Sequence, residues 1–272
     1  MMVFLYIVLS VIFAAAVYAF LVAPGRMPRE SDALWRARYA HRGLHSADQS
    51  VPENSLVAFR RAVEEGYGIE LDVTITADDQ IAVFHDDTLA RACGVDRDIR
   101  DCTWTELQAC RLFGTDQRIP LLGDVLALAD GRVPLIVELK STKRYRALCE
   151  RTARLLDEYP GLCCVESFDP RVVRWFYLHR PAMVRGQLAA GFRSYTSTPW
   201  YQSLPMSALL TNVLARPHFV AYRHQDARRK IGLRLFKQLG GRLAAWTVRS
   251  PEDARRCRRL FGAVIFEYYK PQ

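Results

Sequence analysis

The sequence has no internal repeat and no low-complexity segment. No glycine-rich loop follows its first strand-like run, which argues against a doubly wound nucleotide-binding sheet. Its seven cysteines are Cys93, Cys102, Cys110, Cys149, Cys163, Cys164 and Cys257. The number is odd, one pair is adjacent, and no spacing matches a zinc site or a disulfide framework. Such cysteines behave as small hydrophobes in a reducing compartment. Histidine is scarce, six in all. Charge is absent from residues 1–25.

That uncharged start is apolar throughout, as 3-VFLYIVLSVIFAAAVYAFLVA-23, long enough to cross a bilayer as one helix. Nothing basic precedes it, unlike a secretory signal peptide, although 15-AAVYA-19 is Ala-x-Ala-like. The segment therefore reads as an uncleaved single-pass anchor over residues 1–24. Arg26, Arg29, Arg36 and Arg38 follow it directly, so the positive-inside rule places the remainder in the cytoplasm. Residues 25–36 read as a polar linker, leaving 37–272 for the folded domain.

The chain has 272 residues, half of them hydrophobic, and a net charge of +9. A basic balance suits an anionic membrane surface, a phosphate-bearing substrate or nucleic acid, or simply a solvated surface. The dense cluster 255-RRCRR-259 falls on a helical stretch without aromatic strands or any nucleic-acid motif, so no nucleic-acid partner is expected.

From residue 37 onward, strand-like runs alternate with helical ones. The strands are 37–42, 68–73, 134–139, 163–168, 183–188, 218–223, 242–248 and 262–266. The helices are 53–65, 143–159, 170–180, 225–239 and 251–261. Eight such units predict a closed parallel (β/α)8 TIM barrel. An open doubly wound sheet is the alternative. The run 81-IAVFH-85 follows the second strand too closely for a parallel crossover, so it returns antiparallel as a hairpin turning near 77-ADDQ-80. A turn centred between Asp78 and Asp79 sets Asp72 opposite His85.

Glu70 and Asp72 are two apart on a strand and share a face. Glu138, in 134-PLIVELK-140, is a third acid late in an apolar strand, with Lys140 two residues on. Grouped carboxylates are costly unless a cation neutralises them, and an all-oxygen set favours Mg²⁺ or Ca²⁺, with Mn²⁺ a further candidate. Salt bridges from Glu138 to Lys140 and from Glu70 to Arg42 are the plainer reading. His41 and His85 end strands at the same barrel mouth, where two imidazoles can serve as acid and base. His45, His179, His218 and His224 read as structural or surface residues. Arg42 and Lys140 offer positive charge to a phosphate.

The motifs 41-HRG-43, 52-PENS-55 with Ala58 and Phe59, 70-ELDV-73, Thr76, 85-HDDTLAR-91, 103-TWTEL-107, 119-IPLLGDVL-126, 136-IVELK-140, 167-SFDP-170 and 246-WTV-248 together resemble the glycerophosphodiester phosphodiesterase family. The resemblance implies a TIM barrel and metal-dependent hydrolysis of a glycerophosphodiester to glycerol 3-phosphate and an alcohol. It implies Glu70, Asp72 and Glu138 as metal ligands, His41 and His85 as the acid–base pair, and Arg42 and Lys140 as phosphate contacts. Trp246 is a candidate for packing against the substrate, or else for the core. Lysophospholipase D-type action on membrane lysolipids, or an inactive membrane-tethered binding module, are the alternatives. Three positions depart from the family pattern. Asp79 stands where glycine is usual in the hairpin turn, Arg249 where asparagine is usual, and Glu267 where aspartate is usual.

Overall fold

The computed structural model describes residues 1–271 except 197 and 229, with side chains for all of these but 29 and 30. Its strands are β1 (Arg38–His41), β2 (Gly68–Ile75), β3 (Ile81–Val83), β4 (Leu135–Leu139), β5 (Cys163–Ser167), β6 (Val184–Ala189), β7 (Phe219–Arg223), β8 (Arg242–Val248) and β9 (Ala263–Phe266). Their order is β1-β9-β8-β7-β6-β5-β4-β2, and β1 pairs in turn with β2. Eight parallel strands thus close into the expected barrel. Among the described strands, β3 alone runs antiparallel, paired with β2.

The two faces of each strand explain the closure. Ile69, Leu71, Val73, Val137 and Leu139 point outward and are buried under the surrounding helices. Tyr39, Ile136, Cys164, Phe219, Ala244 and Ile265 fill the lower interior. The stretch read as a linker folds across that lower end. A short 3-10 helix, Arg29–Trp35, brings Leu34 and Trp35 into the same interior cluster, because these apolar side chains find the open bottom of the barrel. Trp35 meets Phe219 edge to face, with ring centroids 5.1 Å apart.

Helix starts follow local chemistry. Ser55 caps the helix Leu56–Glu64 by accepting from the Ala58 amide, so the helix begins three residues later than its periodicity predicts. Asn54 is excluded from it by a positive φ of 53°. Asp169 and Ser250 cap Pro170–His179 and Pro251–Cys257, each with proline in the first turn. Residues 84–121, between β3 and β4, form short turns around their own small core of Phe84, Leu89, Ile99, Leu107 and Ile119. A helix Leu122–Ala129, unassigned by the periodicity reading, then leads into β4.

The hairpin differs from expectation by one residue. Val73 pairs with Val83 and Ile75 with Ile81, and the Phe84 amide donates to the Asp72 carbonyl. Asp72 therefore faces Phe84, not His85. The cause is a three-residue loop rather than a two-residue one: the Thr76 amide bonds Gln80 and the Asp79 amide bonds Thr76. Asp79 takes the left-handed conformation such a loop requires, with φ 66°. Ion pairs from Arg144 and Arg151 to its carboxylate hold a side chain where glycine would be easier.

Candidate active site

The upper ends of the strands gather the titratable residues. Pairing sets Asp72 beside Glu138 and Glu138 beside Glu166, and the three side chains face the interior. Glu70, one inward position lower on β2, completes an acidic floor. Glu70, Asp72 and Glu138 each offer an oxygen, all within 4.8 Å of one another. Two cations reach them directly. Lys140 Nζ lies 2.8 Å from Glu138 Oε1 and 3.2 Å from Asp72 Oδ1. Arg42 Nε lies 3.3 Å from Asp72 Oδ2, and the Arg42 amide donates to Glu70 Oε2 at 3.0 Å. The expected Glu138–Lys140 salt bridge is present and takes in Asp72 as well, whereas the Arg42 guanidinium pairs with Asp72 and Glu53 rather than with Glu70, which only its backbone amide reaches.

The positive charge falls short of the negative. Burial, then Asp72 and Glu138, hold the Glu70 carboxyl well above the usual carboxylate range. Burial also raises Glu138, against the pull of Lys140. Burial would raise Asp72 too, but Lys140, His85 and Arg42 bring it well below that range. Four acids and two cations cannot all be charged here without a further cation. The all-carboxylate donor set fits a hard divalent ion.

A tight turn after β1 builds the wall above this floor. Arg42 and Gly43 both have positive φ, 55° and 80°, and a Cβ on Gly43 would sit 2.9 Å from Ala58 and Phe59. Only glycine allows that approach. The PENS motif supplies Glu53, which accepts from Arg42 Nη1 at 2.7 Å, and Asn54, whose Nδ2 donates to Asp72 Oδ2 at 2.9 Å. Arg91 then links Glu53 to Asp86, at 2.6 Å on each side.

Each of the two histidines has a carboxylate on its Nδ1. His85 Nδ1 lies 2.6 Å from Asp86 Oδ1, and His41 Nδ1 lies 2.6 Å from Glu267 Oε2. Both rings then turn Nε2 away from these partners. Burial, and next to it Arg42, lower His41 to about 4, while the Glu267 bond works in the opposite direction. His41 is accordingly neutral at pH 7. Glu267 is held below the carboxylate range, burial notwithstanding, by its bonds to its neighbours. Its other oxygen takes Arg249 Nε at 2.5 Å. The two departures from the family pattern just after β8 and β9, Arg249 and Glu267, are therefore partners of each other. His45, read as structural, is buried beside them, with Nε2 3.6 Å from Glu267. Trp246 packs edge to face on Phe168, with centroids 5.6 Å apart, at the upper interior.

Glu166 was not picked out by its sequence position. It is buried, burial and then Glu138 and Asp72 push its carboxyl well up, and Oε2 has no hydrogen-bond partner among the described residues. The signal was present as an acid in the apolar run 163-CCVESF-168, as for Glu70 and Glu138. Glu267 was visible only as a departure, without a role.

The glycerophosphoryl diester phosphodiesterase family model matches residues 41–266. The chain belongs to that family. It is thereby a phosphoric diester hydrolase by descent. A glycerophosphodiester phosphodiesterase of Caldanaerobacter subterraneus subsp. tengcongensis is 31% identical over 233 residues, covering 80% of this chain and 87% of the relative. A rat lysophospholipase D is 27% identical, covering 68% of this chain and 66% of its own length. The crystal structure of a Thermotoga maritima glycerophosphodiester phosphodiesterase superposes with a TM-score of 0.66 at 25% identity, over 85% of this chain and 93% of that one. The family is generally divalent-cation dependent, and the acidic floor could hold such an ion.

Proposed function

We propose that this chain hydrolyses glycerophosphodiesters to glycerol 3-phosphate and an alcohol, with His41 and His85 as the acid–base pair. The observation that carries this is the pairing of two carboxylate-oriented imidazoles with three converging acids and two cations at one barrel mouth. Glu70, Asp72 and Glu138 would hold a divalent ion, Mg²⁺ or Ca²⁺, with Mn²⁺ a further candidate. When bound, that ion supplies positive charge to the phosphate oxygens. Lys140 and Arg42 orient the phosphate and oppose the charge that builds on it. His41, kept neutral, takes the proton from the nucleophile, either water or the neighbouring glycerol hydroxyl, and in the latter case water then opens the resulting cyclic phosphate to give glycerol 3-phosphate. His85 returns a proton to the leaving alcohol oxygen as its bond to phosphorus breaks. Trp246 and Phe168 offer an apolar wall to the substrate.

The test is a panel of glycerophosphodiesters, assayed after EDTA treatment with each metal restored. His41→Ala and His85→Ala should each fold normally and lose at least about 10² in kcat. Near wild-type turnover of glycerophosphocholine by either variant would refute the two-histidine scheme. No hydrolysis under any metal would favour a binding module instead.

A second reading, lysolipid hydrolysis at a membrane, rests on two features. Residues 1–24 would anchor the chain as a single-pass helix, with the barrel on the cytoplasmic side by the positive-inside rule. A cleft of about 670 Å³ opens at Ser141, the residue after Lys140; Phe168, Tyr195, Tyr201 and Met206 give it an apolar side that suits an apolar substituent, and Asp169 and Arg171 line it as well. Comparing rates on lysolipids and on deacylated headgroup diesters separates the readings.

A further inference from the structure

Among the described residues, the apolar N-terminal helix, Met2–Val22, joins the barrel through its last turns. Tyr18 donates to the Ala208 carbonyl at 3.3 Å, and Asn212 Nδ2 donates to the Val22 carbonyl at 3.2 Å. Arg216 Nη1 donates to the Phe20 and Ala23 carbonyls at 2.6 and 3.2 Å, and the Gly25 amide bonds the Pro217 carbonyl at 3.1 Å.

These contacts fix a direction. Arg216 and Pro217 immediately precede β7 and lie at the lower end of the barrel. Ser207 and Ala208 lie near the upper end, since Tyr222, late in β7, donates to the Ser207 carbonyl at 3.4 Å. Read from Val22 back to Tyr18, the helix climbs from the closed bottom toward the catalytic mouth. Residues 2–17 then carry it about 24 Å farther the same way, at about 1.5 Å per residue.

The rim at that end has an inverted helix. On Trp200–Ser207, Trp200, Tyr201 and Leu204 are 68%, 61% and 51% exposed, whereas Ser203 and Ser207 are buried. Positions 200, 201 and 204 share one face. Phe192, in the same loop after β6, is also exposed. A helix that hides its serines and shows its aromatics to water lacks its natural surroundings. Exposed Lys143, Arg193 and Arg228, on loops after β4, β6 and β7, surround the same rim.

We propose that the catalytic mouth faces the bilayer that holds the N-terminal helix, with Trp200, Tyr201, Leu204 and Phe192 seated at the lipid–water interface. The orientation follows from the helix direction, and the partner follows from the surface: aromatics favour the headgroup level and the basic loops favour anionic lipid. Lipid substrates would then reach Lys140 through the cleft beside Tyr201 without crossing water. This rests on the anchored reading of residues 1–24 given above.

The test uses the full chain in phosphatidylcholine vesicles containing about one-quarter phosphatidylglycerol. The N-terminal helix has no tryptophan, and the other four tryptophans are Trp35, Trp104, Trp175 and Trp246. Brominated phosphatidylcholine should therefore quench emission from the wild type, and Trp200→Phe should lose most of that quenching. Quenching that is absent, or unchanged in Trp200→Phe, overturns the proposal, as does failure of the chain to sediment with vesicles. In a second arm, Trp200→Ser/Leu204→Ser should slow hydrolysis of vesicle-borne lysophosphatidylglycerol at least tenfold and leave soluble glycerophosphocholine unaffected. Equal effects on both substrates overturn it. A wild type inactive on both would refute the proposed hydrolysis, while quenching would still decide the orientation.

Discussion

Glu267→Gln isolates the role of the carboxylate behind His41. The side chain is 3% exposed, and its oxygen lies 2.6 Å from His41 Nδ1. Glutamine keeps the volume and removes the charge. When His41 takes a proton, an imidazolium forms against that carboxylate. Two unit charges about 4 Å apart at an effective dielectric of about 20 attract by about 4 kcal/mol. Allowing for screening by the half-exposed Arg249, about 3 kcal/mol is lost, or about 10² in rate. The effect falls on kcat, because Glu267 reaches the substrate only through His41. The pH profile supplies a second readout. His41 stands near 4, and the Glu267 bond holds it up against burial and Arg42. Removing that bond moves the acid limb of kcat/KM to lower pH. Glu267→Asp restores the charge at a shorter reach and should recover part of kcat. Steady-state kinetics on glycerophosphocholine from pH 4 to 9 decide the matter. A Gln variant within threefold of wild-type kcat, or an Asp variant as slow as the Gln variant, refutes the reasoning.

Metal addition should raise the melting temperature. At about 100 times Kd, linkage contributes about 2.7 kcal/mol, or about 5–10 °C for a domain of this size. Glu70→Gln and Glu138→Gln should lose most of this shift without lowering the melting temperature in EDTA, since burial already disfavours the charged form of each carboxyl. A full metal-dependent shift in both variants would exclude these acids as ligands. His218 is buried against Arg185, and burial first, then that charge, lower it from 6.5 to about 3. The unfolded chain therefore binds its proton from about pH 6.5 downward and the native chain does not, so stability is full above pH 6.5 and falls with pH until about 3. From pH 6.5 to 5 the loss is about 2 kcal/mol. His218→Asn, which keeps an acceptor for the Arg185 amide, should flatten urea stability over that range; an unchanged pH slope would show that other groups carry it.

Much of the barrel was legible from the chain. Ile69, Leu71 and Val73, and likewise Leu135, Val137 and Leu139, alternate with inward residues, and such a period of two belongs to a strand rather than a helix. The acids Glu70, Asp72 and Glu138 stood out because a buried strand has no other use for a charge. The hairpin was readable because the seven residues between positions 73 and 81 are too few for a crossover. Its register was not, because one residue more in the loop shifts every pair, and the ion pairs of Asp79 with Arg144 and Arg151 join segments far apart in sequence.

The same division holds for the whole molecule. Strand period, loop length and side-chain chemistry are properties of neighbours in sequence, and they determined the fold class, the acidic floor and the pair of histidines. Pairings between distant segments belong to closure of the barrel. Only closure sets Glu166 against Glu138, Glu267 between His41 and Arg249, and Trp35 in the bottom of the barrel beside Phe219. The same holds for the direction of the N-terminal helix. Its apolar length is written in residues 1–24, but the end of the barrel it points toward is decided by Asn212 and Arg216, nearly two hundred positions away.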